Sequence, residues 1–276
     1  MKLHIHTEHT VAINDRAFNY GDGFFTTMRV EHYQVECLAL HITRLQSDAH
    51  RLGFIIDSTS WSELSASIER VARTGSEQAV VKVLISRGSG GRGYSMQCAQ
   101  SPIAVITTSA LPPIIPAANI RIAQGYISTQ PLLAGIKHIN RLEQVLFKRQ
   151  ADALSVDDVL CLDMHQHVIE TSSANLFWYN DERWHTPALN NCGVKGVYRD
   201  MILNVFDANK LPYSVAEYDI TALVSAQSVF MCNAVRGVVP IATLSLTTDQ
   251  LITFTNSQIA PLLGHIDTYF AKGEQQ

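Results

Sequence analysis

Three prolines between Leu111 and Ala117 place the tightest restriction on this chain. Proline has a fixed φ and no backbone N–H, so no helix and no central strand runs through Pro112-Pro113-Ile114-Ile115-Pro116. The chain is therefore expected to divide there, into a first domain over 1–111, a linker over 112–118 and a second domain over 119–276. A length of 276 residues suits two modest domains.

Both halves mix period-2 and period-3.6 apolar patterns, which predicts an α/β (α+β) fold. In the first half Leu3-His4-Ile5-His6 alternates as a short strand, and Phe24 to Val30 follows the turn Gly21-Asp22-Gly23 as a longer one. Leu40 opens an amphipathic helix through Ala49 and Leu52. A second helix, Trp61 to Thr74, turns Leu64, Ile68 and Val71 inward. Strands Ala79–Ser86 and Ile103–Thr107 follow. The second half offers strand Ile120–Ala123, a helix after Lys137 with Leu142, Val145 and Leu146 on one face, and a hairpin from Val159 to Glu170. A helix through Ile202 and Phe206 and a strand Val229–Val235 complete it.

Composition removes several classes of function. Hydrophobic residues make up 46% and charged ones 17%, enough for a core, and the net charge of −4 gives a nucleic-acid partner no electrostatic support. The apolar runs are too short for a membrane span, and Met1-Lys2-Leu3-His4 begins no signal peptide. Cys37, Cys98, Cys161, Cys192 and Cys232 are scattered without CxxC spacing and read as reduced thiols of a cytoplasmic protein. His4, His6 and His9 have no carboxylate or second histidine pair at ligand spacing, so no metal site is expected. Gly88-x-Gly90-x-x-Gly93 follows a strand, as a dinucleotide fingerprint must, but the next element is a strand and not a helix. It is read as a glycine-rich hairpin.

Two stretches carry chemistry. Lys137 closes the small and apolar run Ala134-Gly135-Ile136, and desolvation keeps an amine neutral and nucleophilic, as a Schiff-base lysine requires. Taken alone, the residue is better explained as a surface lysine at a helix start. The second stretch, Val168-Ile169-Glu170-Thr171-Ser172-Ser173-Ala174-Asn175, sets one carboxylate at a strand end before a row of hydroxyls.

Together with Asp15-Arg16-Ala17, Gly21-Asp22-Gly23, His41-x-x-Arg44-Leu45, Ser86-to-Tyr94 and Cys232-Asn233-Ala234, these stretches resemble the fold-type IV pyridoxal-phosphate enzymes. That family includes D-amino-acid and branched-chain aminotransferases and the lyases of 4-amino-4-deoxychorismate. The resemblance runs from about Asp15 to about Pro240. It implies a smaller N-terminal α/β domain, a larger C-terminal pseudo-barrel, pyridoxal 5'-phosphate as cofactor and a homodimer. It further implies Lys137 as the cofactor-linked lysine and Glu170 as the anion facing the pyridine nitrogen. Arg44 and the backbone N–H groups of Val197 and Tyr198 are the implied phosphate ligands, with Ser173 and Asn233 as further cofactor contacts.

Arg92 and Tyr94 are the implied clamp on a substrate carboxylate, often serving the neighbouring subunit. D-amino-acid aminotransferases carry tyrosine and glutamate at the second and third places after the last glycine of the Gly-Asp-Gly turn. Here Phe25 and Thr26 stand there, and Thr26-Thr27 resembles the lyases. The expected activity is release of 4-aminobenzoate and pyruvate from aminodeoxychorismate. Phe25 would shape a roomier substrate pocket, and Lys137, Thr26 or Thr27 would protonate the leaving group. An aminotransferase on the same fold is the main alternative, and a cofactor-free scaffold a remote one.

Overall fold

The computed structural model describes residues 1–6, 11–90, 93–97, 99, 101–247 and 249–271. In chain order the first half forms β1 (His4–His6), α1 (Arg16–Tyr20), β2 (Gly23–Glu31), β3 (Gln34–Val35), α2 (Leu38–Arg51), α3 (Ser58–Thr74), β4 (Ala79–Ser86) and β5 (Ile103–Ser109). The near-continuous apolar run of β4 takes the centre of a five-stranded sheet, in the order β1-β5-β4-β2-β3. β4 pairs antiparallel with β2, from Gly23 opposite Ser86 to Val30 opposite Ala79, and antiparallel with β5. The glycine-rich segment thus joins two antiparallel strands, with no helix between them among the described residues. α2 packs on β2 and α3 on β3 and β4, and Leu45, Leu64 and Ile68 are fully buried. α3 starts where the Asp57 carboxylate accepts from Ser60 N at 2.8 Å, an N-cap.

The second half forms β6 (Ala118–Tyr126), α4 (Leu142–Leu154), β7 (Asp158–Leu162), β8 (Val168–Thr171), β9 (Asn175–Asn180) and β10 (Arg183–Pro187). It continues with α5 (Val197–Asn209), β11 (Tyr213–Ala216), α6 (Thr221–Val224), β12 (Ser228–Asn233), β13 (Gly237–Ser245), β14 (Leu251–Thr253) and α7 (Ile259–Ala271). The main sheet runs β11-β10-β9-β12-β13-β6-β7-β8, with β14 on β13. Its two ends meet, because Val168 N donates to Tyr218 O at 2.7 Å and His167 bridges to Asp219. The sheet therefore curls around a core that draws Leu160, Leu176, Trp178, Met231 and Ile241 from four strands, the pseudo-barrel that the resemblance implied.

Two local expectations change. α4 begins at Leu142, five positions after Lys137, and it buries Phe147 and Ala151 against β6 and β7. Leu142, Val145 and Leu146, which share one face, are 70%, 60% and 41% exposed. The helix carries two apolar stripes, and the one with the aromatic ring faces the sheet. β12 stops at Asn233 rather than Val235, because Asn233 Oδ1 accepts from Val235 N and Arg236 N and turns the chain.

Two compact units result. One is Met1–Pro112 together with Lys137–Asn140, and the other is Pro113–Ile136 with Arg141–Glu274. No helix among the described residues is long and apolar enough to cross a membrane.

Candidate active site

In the first unit β3 covers only the far end of β2, and the near end takes its partner from elsewhere in the sequence. Phe25 N donates to Lys137 O and Ile139 N donates to Gly23 O, both at 3.0 Å. This short pairing holds the Lys137 backbone, and Lys137 N donates to Asp48 Oδ2 on α2 at 3.3 Å. Asn140 Nδ2 donates to Gly21 O at 3.1 Å, and its amide fills the space that a side chain at position 21 would occupy. Gly21 has φ +66°, so glycine is required here twice over.

The alternation of β2 divides its side chains between two faces. Thr26 lies on the fully buried side, while Phe25 and Thr27 lie on the half-buried one. The Lys137 ammonium stands 4.8 Å from the Phe25 ring centroid, and the Lys82 ammonium from β4 stands at the same distance. The two amines are therefore no more than twice 4.8 Å apart. On the buried side Arg44 Nη2 donates to Thr26 Oγ1 and, at 3.4 Å, to Phe25 O, while His41 Nδ1 lies 2.5 Å from Thr26 Oγ1. Burial first, then the charges of Arg44 and Lys137, hold the His41 pKa well below the usual histidine range.

The glycine-rich segment is gripped from α1 and the turn after it. Arg16 donates from Nη1 to the carbonyls of Gly93 and Ser95 and from Nη2 to that of Tyr94, at 3.1–3.2 Å. The Asp22 carboxylate pairs with both Arg16 and Arg87. Tyr94 is 86% exposed, its ring edge-on to Tyr20 at 5.6 Å. Arg92 lies outside the described residues.

In the second unit Glu170 is buried at the end of β8. Its Oε2 accepts from Val194 N at 3.0 Å and from Asn175 Nδ2 at 3.4 Å. Asn175 is the hub of this region, since Nδ2 also donates to Val194 O at 2.8 Å and Oδ1 accepts from Gly196 N at 3.1 Å. One amide thus orients the carboxylate and sets the start of α5. Gly196 is the N-cap of α5, without a side-chain cap, and Val197 and Tyr198 form its first turn. A helix start of this kind offers backbone donors and a favourable dipole to an anion. Arg199 fastens that turn to β10 by donating to Thr186 Oγ1 and Pro187 O.

The hydroxyls after Glu170 are engaged within their own loop. Ser172 Oγ and Ser173 Oγ donate to the buried Asp158 carboxylate at 2.5 and 2.8 Å, and Thr171 Oγ1 donates to Ala174 O. Asn233 Nδ2 donates to Ser173 O at 3.3 Å. Ser173 and Asn233 share the lining of a cavity of about 230 Å³ with Asp158, Lys148 and Arg236.

The first unit holds a primary amine and a guanidinium, groups suited to an aldehyde and a phosphate. The second unit, taken by itself, holds a buried carboxylate and an uncapped helix start, groups suited to a pyridine nitrogen and a phosphate. Sequence comparison agrees with the chemistry: residues 23–244 match the amino-transferase class IV family, to which this chain belongs. Enzymes of this family depend on pyridoxal phosphate.

Within the family, an aminodeoxychorismate lyase of Vibrio harveyi is 34% identical over 94% of this chain and 96% of its own length. The crystal structure of 4-amino-4-deoxychorismate lyase from Pseudomonas aeruginosa superposes with TM-score 0.86 at 28% identity, covering 94% of this chain and 95% of that one. A D-alanine aminotransferase of Listeria monocytogenes is 23% identical over 95% of this chain and 90% of its own.

Among the residues of this geometry that had no role in the sequence reading are His41, Asp48, Lys82 and Asn175. Lys82 alone left a visible signal, as the single charge within the apolar run Ala79–Ser86.

Proposed function

We propose that this chain is a pyridoxal-phosphate-dependent lyase that converts 4-amino-4-deoxychorismate into 4-aminobenzoate and pyruvate, a step of folate biosynthesis. The observation that carries this is the likeness to the Vibrio harveyi lyase, at 34% identity over 94% of the chain. Phe25-Thr26-Thr27 supports it against an aminotransferase, since Phe25 has no hydroxyl and Thr26 no charge.

Bound pyridoxal phosphate supplies the electron sink for the pair left behind when the ring proton departs. Lys137 Nζ takes the C4 proton. The C3–O bond to the enolpyruvyl arm breaks and the ring becomes aromatic. The proton lost at C4 equals the one gained as enolpyruvate becomes pyruvate, so a single amine that accepts and returns it closes the balance. Glu170, oriented by Val194 and Asn175, keeps a negative charge for the pyridine nitrogen. Arg44 and the α5 start at Val197 and Tyr198 hold the phosphate, and Ser173 and Asn233 shape the adjoining loops. The substrate is a dicarboxylate. Lys82, beside the same ring as Lys137, receives one carboxylate, and Arg92 with Tyr94 receives the other.

A homodimer belongs to the same proposal. Its support is the apolar surface that one copy leaves exposed: Leu142, Val145 and Leu146 on α4, and Ile13 and Phe18 near α1. A cytoplasmic location agrees with Cys37, Cys161, Cys192 and Cys232, which are all free. The deciding experiment follows 4-aminobenzoate and pyruvate formed from aminodeoxychorismate. It compares kcat/KM with that for D-alanine and a branched-chain amino acid, each with 2-oxoglutarate. An amino acid that matches or exceeds aminodeoxychorismate overturns the lyase assignment.

A further inference from the structure

His41 occupies a costly place. It is 1% exposed, between the positive charges of Arg44 and Lys137, and its Nε2 finds no hydrogen-bond partner among the described residues. A buried polar group left unpaired is unfavourable by an amount comparable to a lost hydrogen bond. Packing alone favours an apolar residue at such a position, as at Leu45 and Ala49 on the same helix. The residue must therefore act through its other nitrogen.

The proton count at that nitrogen is closed by its neighbours. A guanidinium only donates, so Thr26 Oγ1 accepts from Arg44. The Thr26 side chain is fully buried, and among the described residues its one remaining hydrogen-bond partner is His41 Nδ1 at 2.5 Å, so its single proton points there. His41 Nδ1 is then an acceptor, and the imidazole carries its proton on Nε2. The hydrogen bonds run one way, Arg44 to Thr26 to His41. A hydroxyl that donates becomes a better acceptor, which strengthens the grip on Arg44 Nη2.

We propose that His41 is a positioning residue: as the neutral Nε2–H tautomer it draws the Thr26 proton toward itself and so fixes the Arg44 guanidinium for the cofactor phosphate. The inference rests on the proposed role of Arg44 as phosphate ligand. It also separates the two threonines. The Thr26 proton is committed to His41, so Thr26 is a relay and not a proton donor to the substrate, while Thr27 projects from the opposite face of β2.

The test uses the full chain and equilibrium binding of pyridoxal phosphate. His41→Phe removes the acceptor. His41→Gln places an amide near the Nε2 position and leaves the Thr26 hydroxyl unanswered. His41→Asn places a carbonyl oxygen near the Nδ1 position. The expected dissociation constants rise about three- to tenfold for Phe and Gln, the worth of one neutral hydrogen bond, and stay near wild type for Asn. Thr26→Val should add little to His41→Phe, because both break the same relay. Wild-type affinity in His41→Phe, or equal loss in Asn and Phe, overturns the proposal. Should the variants fold poorly, 15N NMR of histidine-labelled wild-type protein decides: an unprotonated Nδ1 supports it, and a protonated Nδ1 refutes it. Arg44→Ala keeps the two readings apart. If its affinity is unchanged, the phosphate role itself fails. If it binds weakly while His41→Phe binds normally, only the positioning role of His41 fails.

Discussion

Replacing Asn175 by alanine should both destabilise the second unit and loosen its hold on the cofactor. The side chain makes three contacts. Those to Val194 O at 2.8 Å and from Gly196 N at 3.1 Å have ordinary lengths and contribute about 1 kcal/mol each. The contact to Glu170 Oε2 is charge-assisted but long at 3.4 Å, and about 1 kcal/mol is a fair ceiling. Alanine also leaves the Val194 carbonyl and the Gly196 N–H with one partner fewer in a largely buried setting, adding roughly 1 kcal/mol more. The expected loss is about 3–4 kcal/mol, which lowers the melting temperature by roughly 10 °C in a chain of this size. Thermal unfolding followed by circular dichroism measures the first effect, and a pyridoxal phosphate titration measures the second. Asn175→Asp sharpens the test. It keeps the acceptor for Gly196 N but sets an oxygen against Val194 O and Glu170 Oε2, so its affinity should fall at neutral pH and partly recover when the new carboxyl is protonated. If Asn175→Ala melts within about 2 °C of wild type and binds cofactor normally, the hub assignment is wrong.

Three further outcomes are expected. Lys137→Ala abolishes turnover while the melting curve stays close to wild type, and borohydride reduction of the holoenzyme followed by peptide mapping labels Lys137; a label on Lys148 or Lys195 refutes the assignment. Lys82→Met raises KM for aminodeoxychorismate about tenfold or more, the worth of a charged contact, and Lys82→Arg restores part of it; unchanged KM removes Lys82 from the substrate site. The lowered pKa of His41, caused first by burial and then by Arg44 and Lys137, means that the unfolded chain protonates before the folded one. Its contribution to stability is complete above about pH 6.5, the unfolded value, and is lost as pH falls from there toward the folded pKa. Unfolding curves of His41→Phe between pH 8 and 5.5 should show a shallower acid decline than wild type, and parallel declines refute it.

Legibility in the sequence followed the range of each interaction. β4 and α3 could be read from their own residues, because one apolar run and one 3.6-residue stripe specify each. The glycine-rich segment was read as a hairpin from the strand after it, and β4 and β5 pair antiparallel. α4 was placed by its Leu142 stripe, but periodicity finds a stripe and cannot choose whether the Leu142 side or the Phe147 side meets the sheet. Lys137, Glu170 and Arg44 became visible as candidates only through their combined likeness to a family. Their supports stayed hidden. Asp48 meets Lys137 across 89 positions, Thr26 meets His41 across 15, and Asn175 meets Gly196 across 21. In one dimension a histidine and an aspartate on a helix look like solvated polar residues.

The pairing of Lys137 and Ile139 with the near end of β2 bears on how the protein is made. A ribosome that has released the first 112 residues has delivered every other element of the first unit, yet Phe25 N and Gly23 O still wait for their partners, Lys137 O and Ile139 N. The unit is finished only when the chain has emerged past Asn140. A gene fragment ending at the proline-rich boundary therefore encodes an incomplete fold with an open strand edge, prone to pair with other chains. Attempts to produce the first unit separately should instead append residues 137–140 through a short linker, or express the two halves together.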